Sequence, residues 1–317
     1  MMKTKTVHSV LFGLAIGDAL GVPVEFQDRC YFDTNPVSDM LEYGTHNQPA
    51  GTWSDDSSLT FCLAESLSKR YDLEDIATKF LQWYNAEIWT PYGRVFDIGI
   101  ATRQAIFQIS KGTNPILCGG FEENDNGNGS LMRILPLAFY LQRETNLNII
   151  YQKVKEVSSI THAHFRSVFA CFIYIAYALE ILKGQNKNQA YENMQLKVNE
   201  FISENDFNTK EVQLFDRILN NRISDFSSDD IHSTGYVLHS LEASFWCILN
   251  SNSYEETVLK AVNLGSDTDT TAAIAGGLAG LLYGFDAIPE KWINQLARKN
   301  DILELCDSLE LHLKNEK

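Results

Sequence analysis

The chain has 317 residues, 44 % of them hydrophobic, and a formal net charge of −15. That length and apolar content allow a sizeable core in one large domain or two ordinary ones. The excess of carboxylates argues against a general binder of nucleic acid or anionic membrane, either of which calls for a basic surface; a nucleotide-like ligand stays compatible, because a bound metal can supply local positive charge.

Six cysteines (Cys30, Cys62, Cys118, Cys171, Cys247 and Cys306) occur without C-x-x-C spacing and mostly among apolar residues. They read as reduced core residues of a cytoplasmic protein. The first six residues are polar and lack the apolar stretch of a signal peptide. The longest apolar runs are about a dozen residues, short of the roughly 20 that span a bilayer as a helix, so no membrane partner is expected.

In chain order, Val7, Val10, Leu11, Leu14, Ala15 and Asp18 fall on one face at helical spacing. A carboxylate prolonging an apolar stripe needs partners, so Asp18 is expected to anchor a polar network. Gly17, Gly21 and Pro23 read as the end of this helix, with Glu25 in the following turn. Ser54-Asp55-Asp56-Ser57 precedes an amphipathic pattern through Leu59, Cys62, Leu63 and Leu67. Ser54 suits an N-cap, and acidic residues suit a first turn. Asp55 and Asp56 also point in different directions at a helix start, which suits two metal ions.

A helix is expected over residues 73–89 and another from about Thr102, with Asp97 read as its cap in preference to a site residue. Residues 112–125 form a loop rich in Gly and Asn. Gly127-Asn128-Gly129-Ser130-Leu131-Met132-Arg133 follows. Glycines ahead of a helix let backbone N–H groups approach an anion. It is no P-loop, since Gly-Lys-Ser/Thr is missing. Thr161-His162-Ala163-His164 opens an apolar helix over residues 168–182. Without a Cys or third His nearby, a histidine donating to a phosphate or ribose is favoured over zinc.

Residues 186–228 are polar and read as a surface excursion. Tyr236 sits at the start of the next helix, where it either stacks on a base or ribose or packs in the core. The stretch Asn263-Leu264-Gly265-Ser266-Asp267-Thr268-Asp269-Thr270-Thr271 then runs into an Ala/Gly-rich helix. Either Asp269 or Thr270 caps that helix, or the loop delivers oxygen ligands to a hard cation. Glycines Gly276, Gly277 and Gly280 weaken a helix, and close helix–helix contact is the expected compensation. Two acidic clusters at two helix starts would repel if brought face to face, unless cations or protons lay between them. No run of alternating strands, linker or repeat divides the chain, which is expected to form one all-α domain over 1–317.

Together, Gly17-Asp18-Ala19-Leu20-Gly21…Glu25, Ser54-Asp55-Asp56, Gly127 to Arg133, Thr161 to His164 and Gly265 to Thr270 resemble the ADP-ribosylglycohydrolase family, in the family's order and over residues 8–284. The resemblance implies a compact single-domain orthogonal helical bundle and a centre of two Mg²⁺ ions, with Mn²⁺ as a substitute. By motif position it implies Ser54, Asp55, Asp56, Asp267, Asp269 and Thr270 as metal ligands. It implies Asn128, Gly129, Ser130, Met132 and His162 as contacts to ADP-ribose, beside which Gly127, from the glycine loop, and Tyr236, from its place at a helix start, stand as further ligand-binding candidates. The catalytic candidates are Asp55, Asp56, Asp269, Glu25 and Asp125, among which the sequence does not assign roles. Ser266 stands where the family usually has Gly, and is strained if that position needs φ > 0. The implied activity is removal of ADP-ribose from a modified protein side chain, arginine favoured. The implied counterpart is a cognate ADP-ribosyltransferase, against which the protein would serve as immunity. Two other readings compete. One is a non-catalytic member that binds ADP-ribose or occludes a toxin. The other is a D-x-D-x-T phosphatase built on Asp267, Asp269 and Thr271, which requires a preceding strand.

Overall fold

The computed structural model describes residues 6–315. Its helices, in order, are α1 (Thr6–Gly21), α2 (Arg29–Phe32), α3 (Asp55–Leu67), α4 (Leu73–Ala86), α5 (Ile100–Ser110), α6 (Leu137–Leu141), α7 (Leu147–Ser159) and α8 (Phe165–Leu182). They continue as α9 (Lys187–Glu204), α10 (Thr209–Gln213), α11 (Asp216–Leu219), α12 (Val237–Leu249), α13 (Tyr254–Val262), α14 (Thr268–Tyr283), α15 (Glu290–Gln295) and α16 (Lys299–Asn315). Among the described residues no strand forms, only three isolated bridges. The expected all-α bundle is therefore the observed one. The strand that a D-x-D-x-T phosphatase needs before Asp267 is replaced by α13, which removes that reading.

The centre of the molecule is the pair α1 and α14. Every residue of α1 is buried, not just one stripe, because helices surround it on all sides. Gly13, Gly17 and Gly21 recur every fourth residue and so share one face. A Cβ on Gly13 would lie 2.6 Å from the Gly276 carbonyl oxygen, and one on Gly17 would overlap the Ala272 carbonyl. The two backbones are thus in contact, as the Gly276–Gly280 pattern implied. Gly17 does not end α1, contrary to expectation; it lies mid-helix, and the helix runs to Gly21.

Two further expectations change. Residues 6–24, which are α1 with the helical turn after it, and α8 are each long and apolar enough, by length and composition, to cross a membrane, although the sequence runs looked too short. Small and polar residues interrupt the apolar run without breaking the helix, and both helices are enclosed in the fold. The stretch read as a surface excursion contains α9, which packs on α8 through Ala190, Tyr191, Met194, Val198 and Phe201. Helix α16 buries Ile302, Leu305, Cys306 and Leu309 and packs on α1 and α3, so packing continues past the motif-bearing stretch 8–284. One hydrophobic cluster runs from Val7 to Leu313.

The α1–α14 contact generates a test. Gly17→Ala should destabilise the protein by about 1–3 kcal/mol through overpacking, even though alanine favours a helix interior by about 1 kcal/mol. A urea midpoint that rises would contradict the close contact.

Candidate active site

Asp18 is the first fixed point. It is fully buried on α1 and accepts hydrogen bonds from the Ser54 N–H at 2.9 and 3.1 Å, the Ser57 N–H at 3.0 Å and the Ser57 hydroxyl at 2.5 Å. Burial pushes its carboxyl up to about 6, against the pull of these bonds. A carboxylate on α1 thus satisfies the free N–H groups at the start of α3. Ser54 is the N-cap of α3, accepting from the Asp56 N–H at 3.2 Å. Asp55 and Asp56 occupy the first turn, both buried.

The second acidic cluster opens α14. Asp267 holds the N-cap position but makes no capping bond; its Oδ2 instead accepts from Asn128 Nδ2 at 2.7 Å. Neither Asp269 nor Thr270 is the cap. Ser266 has φ 62°, so a side chain does stand in the left-handed region there. It is held by exchange of two 2.7 Å backbone bonds with the turn after Glu25, Phe26 N–H to Ser266 O and Ser266 N–H to Gln27 O. Arg29 fixes the same loop by donating to the carbonyls of Leu264, Ser228 and Ile231.

The two clusters meet. Ser54 Oγ and Thr270 Oγ1 both donate to Asp56 Oδ2, at 3.0 and 3.3 Å. Asp56 Oδ1 and Asp269 Oδ2 are buried with no hydrogen-bond partner. Burial, then the mutual charge of neighbouring carboxylates, raises Asp55, Asp56 and Asp269 well above the ordinary range, and burial raises Asp267. Ligand oxygens of Glu25, Asp267 and Asp269 lie within 4.8 Å of one another. Orphaned buried oxygens in an all-oxygen set are what a hard divalent cation satisfies. The Asp56 and Asp269 oxygens, with Glu25 and Asp267 beside Asp269, therefore fit such an ion, and the Ser54 and Thr270 hydroxyls adjoin it through Asp56.

Glu25 stands between this centre and a second group. Its carboxylate bonds His46 Nε2, and the ligand atoms of Glu25, His46 and Asp97 also lie within 4.8 Å of one another. Glu25 is pushed up to about 7 by burial, with Asp97 and Asp267 adding to the rise and His46 opposing it. The expectation that Asp97 caps a helix is wrong. Gly99 holds that position, and Asp97, at φ 46°, faces the site with no hydrogen-bond donor on it. Phe26 and Phe96 both lie against the His46 ring, at centroid distances of 6.0 and 5.4 Å. His46 escaped the sequence reading because it sits in an irregular turn with no periodicity. It is carried to Glu25 by Thr45, which bonds the carbonyls of Pro23 and Glu25.

The loop at Gly127–Gly129 borders the same centre. It is stitched to the start of α12 by Asn128 N–H to Gly235 O and Val237 N–H to Asn126 O, and Gly127 bridges Tyr236. Asn128 Nδ2 bonds Asp267 and also Ser240, at 2.7 and 2.8 Å, tying the loop to the carboxylates. No helix starts at this loop, where one was expected; turns continue to Pro136 before α6. The side chains of Ser130 and Met132 are buried. Ser130 is fully buried, receiving the Ser158 hydroxyl at 2.9 Å, and Met132 is in the core. Asp125 Oδ2 accepts from the Glu122 N–H at 3.0 Å in a local capping box and makes no hydrogen bond to the carboxylate cluster. His162 lies against Gly127 and Gly129, whereas His164 caps α8, so the two share no metal. Tyr236 is half-buried at the N-cap of α12, edge-on to His239.

Comparisons with known proteins agree with this geometry. Residues 3–317 match the ADP-ribosylglycohydrolase family. The chain is similar to "ADP-ribosylarginine hydrolase Tri1" of Pseudomonas putida (strain GB-1), 32 % identical over 94 % of this chain and 76 % of that protein. It is 27 % identical to "ADP-ribosyl-[dinitrogen reductase] glycohydrolase" of Rhodospirillum rubrum, covering 90 % of this chain and 88 % of that one. A solved structure titled "ADP-ribosylglycohydrolase-related protein complex" superposes with a TM-score of 0.80, 29 % identity and 98 % coverage of both chains.

The clustered carboxylates predict how stability responds to pH and cations. Glu25 and Asp18 are raised to about 7 and 6, so between the ordinary carboxylate range near 4 and about 7 the folded chain holds more protons than the unfolded one. Stability of chelator-treated protein should therefore fall as pH rises across that window. Added Mg²⁺ or Mn²⁺ should restore it, by about 2.7 kcal/mol at a hundred times Kd, and much less in Asp56→Ala. Thermal melts at pH 5 and 8 check this; equal cation shifts in wild type and variant would refute it.

Proposed function

This chain belongs to the ADP-ribosylglycohydrolase family and is a hydrolase of it, and from that premise we propose that it removes ADP-ribose from arginine side chains with two Mg²⁺ ions bound. The observation that carries the reading is the set of buried, unpartnered oxygens on Asp56 and Asp269 beside a carboxyl near neutrality on Glu25. Ser54, Asp55, Asp56, Asp267, Asp269 and Thr270 would hold the ions, which supply Lewis acidity for orienting ribose hydroxyls and acidifying water when bound.

The bond to be broken joins the anomeric carbon of the terminal ribose to a guanidine nitrogen. Its cleavage develops oxocarbenium character on the ribose. Water adds its oxygen to that carbon, a carboxylate takes the water's proton, and the departing nitrogen takes up a proton. Glu25 suits the proton transfer, because a group near its operating pH can both accept and return one. His46 holds the Glu25 carboxylate in place, and Asn128 does the same for Asp267. Arginine is favoured because its guanidinium is planar and cationic. Asp97, open and without a donor, and the rings of Phe26 and Phe96 offer such a group a counter-charge and aromatic faces.

A hydrolase of this bond has a substrate only where an ADP-ribosyltransferase acts. The proposal therefore includes a cognate transferase as its counterpart, with the chain as immunity to it. The cytoplasm is the proposed compartment, in keeping with six free cysteines.

The test incubates the protein with ADP-ribosyl-arginine and ADP-ribosyl-serine peptides, with mass spectrometry of the products. Arginine peptide should return unmodified with free ADP-ribose. Exhaustive chelation should abolish the reaction and Mg²⁺ restore it. Glu25→Gln should lose about 10²–10⁴-fold in turnover while still binding ADP-ribose. Asp97→Asn should raise KM for the arginine peptide by about tenfold, or about 1.4 kcal/mol, without changing affinity for free ADP-ribose. Phosphoribosyl-peptide would indicate a pyrophosphatase. Tight ADP-ribose binding with no turnover of either peptide would favour the non-catalytic alternative.

A further inference from the structure

Arg133 is buried without a carboxylate to neutralise it. Its guanidinium lies 4.5 Å over the Phe80 ring; Nη2 donates to Val157 O at 3.2 Å and to Thr161 Oγ1 at 2.8 Å, while Nε and Nη1 have no partner. Burying a cation so sparsely bonded is costly if packing is its whole role. Its best bond leads toward the cleft. Thr161 Oγ1, also fully buried, lies 2.9 Å from His162 Nδ1.

The proton arrangement along this line follows from donor and acceptor counting. Arginine only donates, so Thr161 Oγ1 must accept from it. The hydroxyl proton then has one acceptor in reach, Nδ1 of His162. Were Nδ1 protonated, the threonine proton would be left without a partner in the core, at the cost of desolvating it unpaired. Burial and the Arg133 charge also hold His162 neutral, lowering it to about 3. The ring proton is therefore on Nε2. That atom makes no hydrogen bond and faces the glycine loop: a Cβ on Gly127 would lie 3.4 Å from Nε2, and one on Gly129 only 2.7 Å from Cε1.

We propose that Arg133 and Thr161 are positioning residues, a relay that holds His162 in the one tautomer donating from Nε2 to an oxygen of the ligand lying along the Gly127–Gly129 loop. The shared chemistry is an acceptor oxygen, from the diphosphate or from the terminal ribose. The inference rests on the ADP-ribose reading of the cleft only for its binding probe; the tautomer is a property of the free protein.

The experiment has two readouts. In wild type labelled with ¹⁵N-histidine, NMR at neutral pH should show His162 protonated at Nε2 alone. Thr161→Val should give mixed tautomers and weaken ADP-ribose binding about tenfold, equivalent to about 1.4 kcal/mol, raising KM with kcat nearly unchanged. Thr161→Ser, which keeps the hydroxyl, should restore both. Arg133→Met should give the same mixture, and if it does not fold, the Thr161 pair decides. Loss of affinity for ADP as well as ADP-ribose places the oxygen in the ADP part; loss for ADP-ribose alone places it on the terminal ribose. Nδ1 protonation in wild type, or Thr161→Val binding as tightly as wild type, overturns the relay. Wild type that binds no ADP-ribose would remove the functional reading, while the NMR result still decides the relay.

Discussion

Backbone contact between α1 and α14 is the constraint on which the site depends. Where glycines on α1 meet the backbone of α14, the helices approach too closely for a side chain to stand between them. The contact continues to the end of α1, where a Cβ on Gly21 would fall on the backbone of Asp269. Thr268 Oγ1 closes the same junction by donating to Gly21 O at 2.8 Å. Asp18 projects from the same helix to hold the start of α3. One helix thus fixes the starts of two others, and their acidic first turns are brought together as a consequence.

Buried carboxylates play two opposite parts here. Asp18 accepts four hydrogen bonds and is structurally complete. Asp56 and Asp269 each retain an oxygen with no partner, although burial makes that costly. The difference marks Asp18 as an anchor and leaves the other two with oxygens that a cation could take. The packing of α1, α3 and α14 holds the carboxylates together, and their repulsion leaves a strong local demand for a proton or a cation.

Around this frame, irregular backbone does the fine placement. Phe26, Asp97 and Ser266 all lie at positive φ, and all three border the carboxylates. Each left-handed residue turns the chain sharply enough to direct a neighbouring carboxylate inward. Arg29 and the Phe26–Ser266 backbone pair hold two of these turns together. His46 and Asp97 complete the set from loops that lie far apart in sequence.

The sequence by itself determined the helical class, the two acidic helix starts, the role of Asp18 as an anchor and the close contact implied by Gly276 and Gly280. These are local facts, set by periodicity, capping chemistry and the missing Cβ of glycine. It also carried the family motifs, because a ligand set at a helix start is written in consecutive residues. Only the tertiary structure decided that Asp97 and His46 join Glu25, that Asp125 turns to Glu122, and that Ser130 and Met132 face the core. It also decided that α16 and α9 belong to the packed body. In each case the outcome depends on where an irregular segment is carried by contacts distant in sequence, or on which side of a turn a residue falls. No periodicity records either, so the local pattern was silent where the fold spoke.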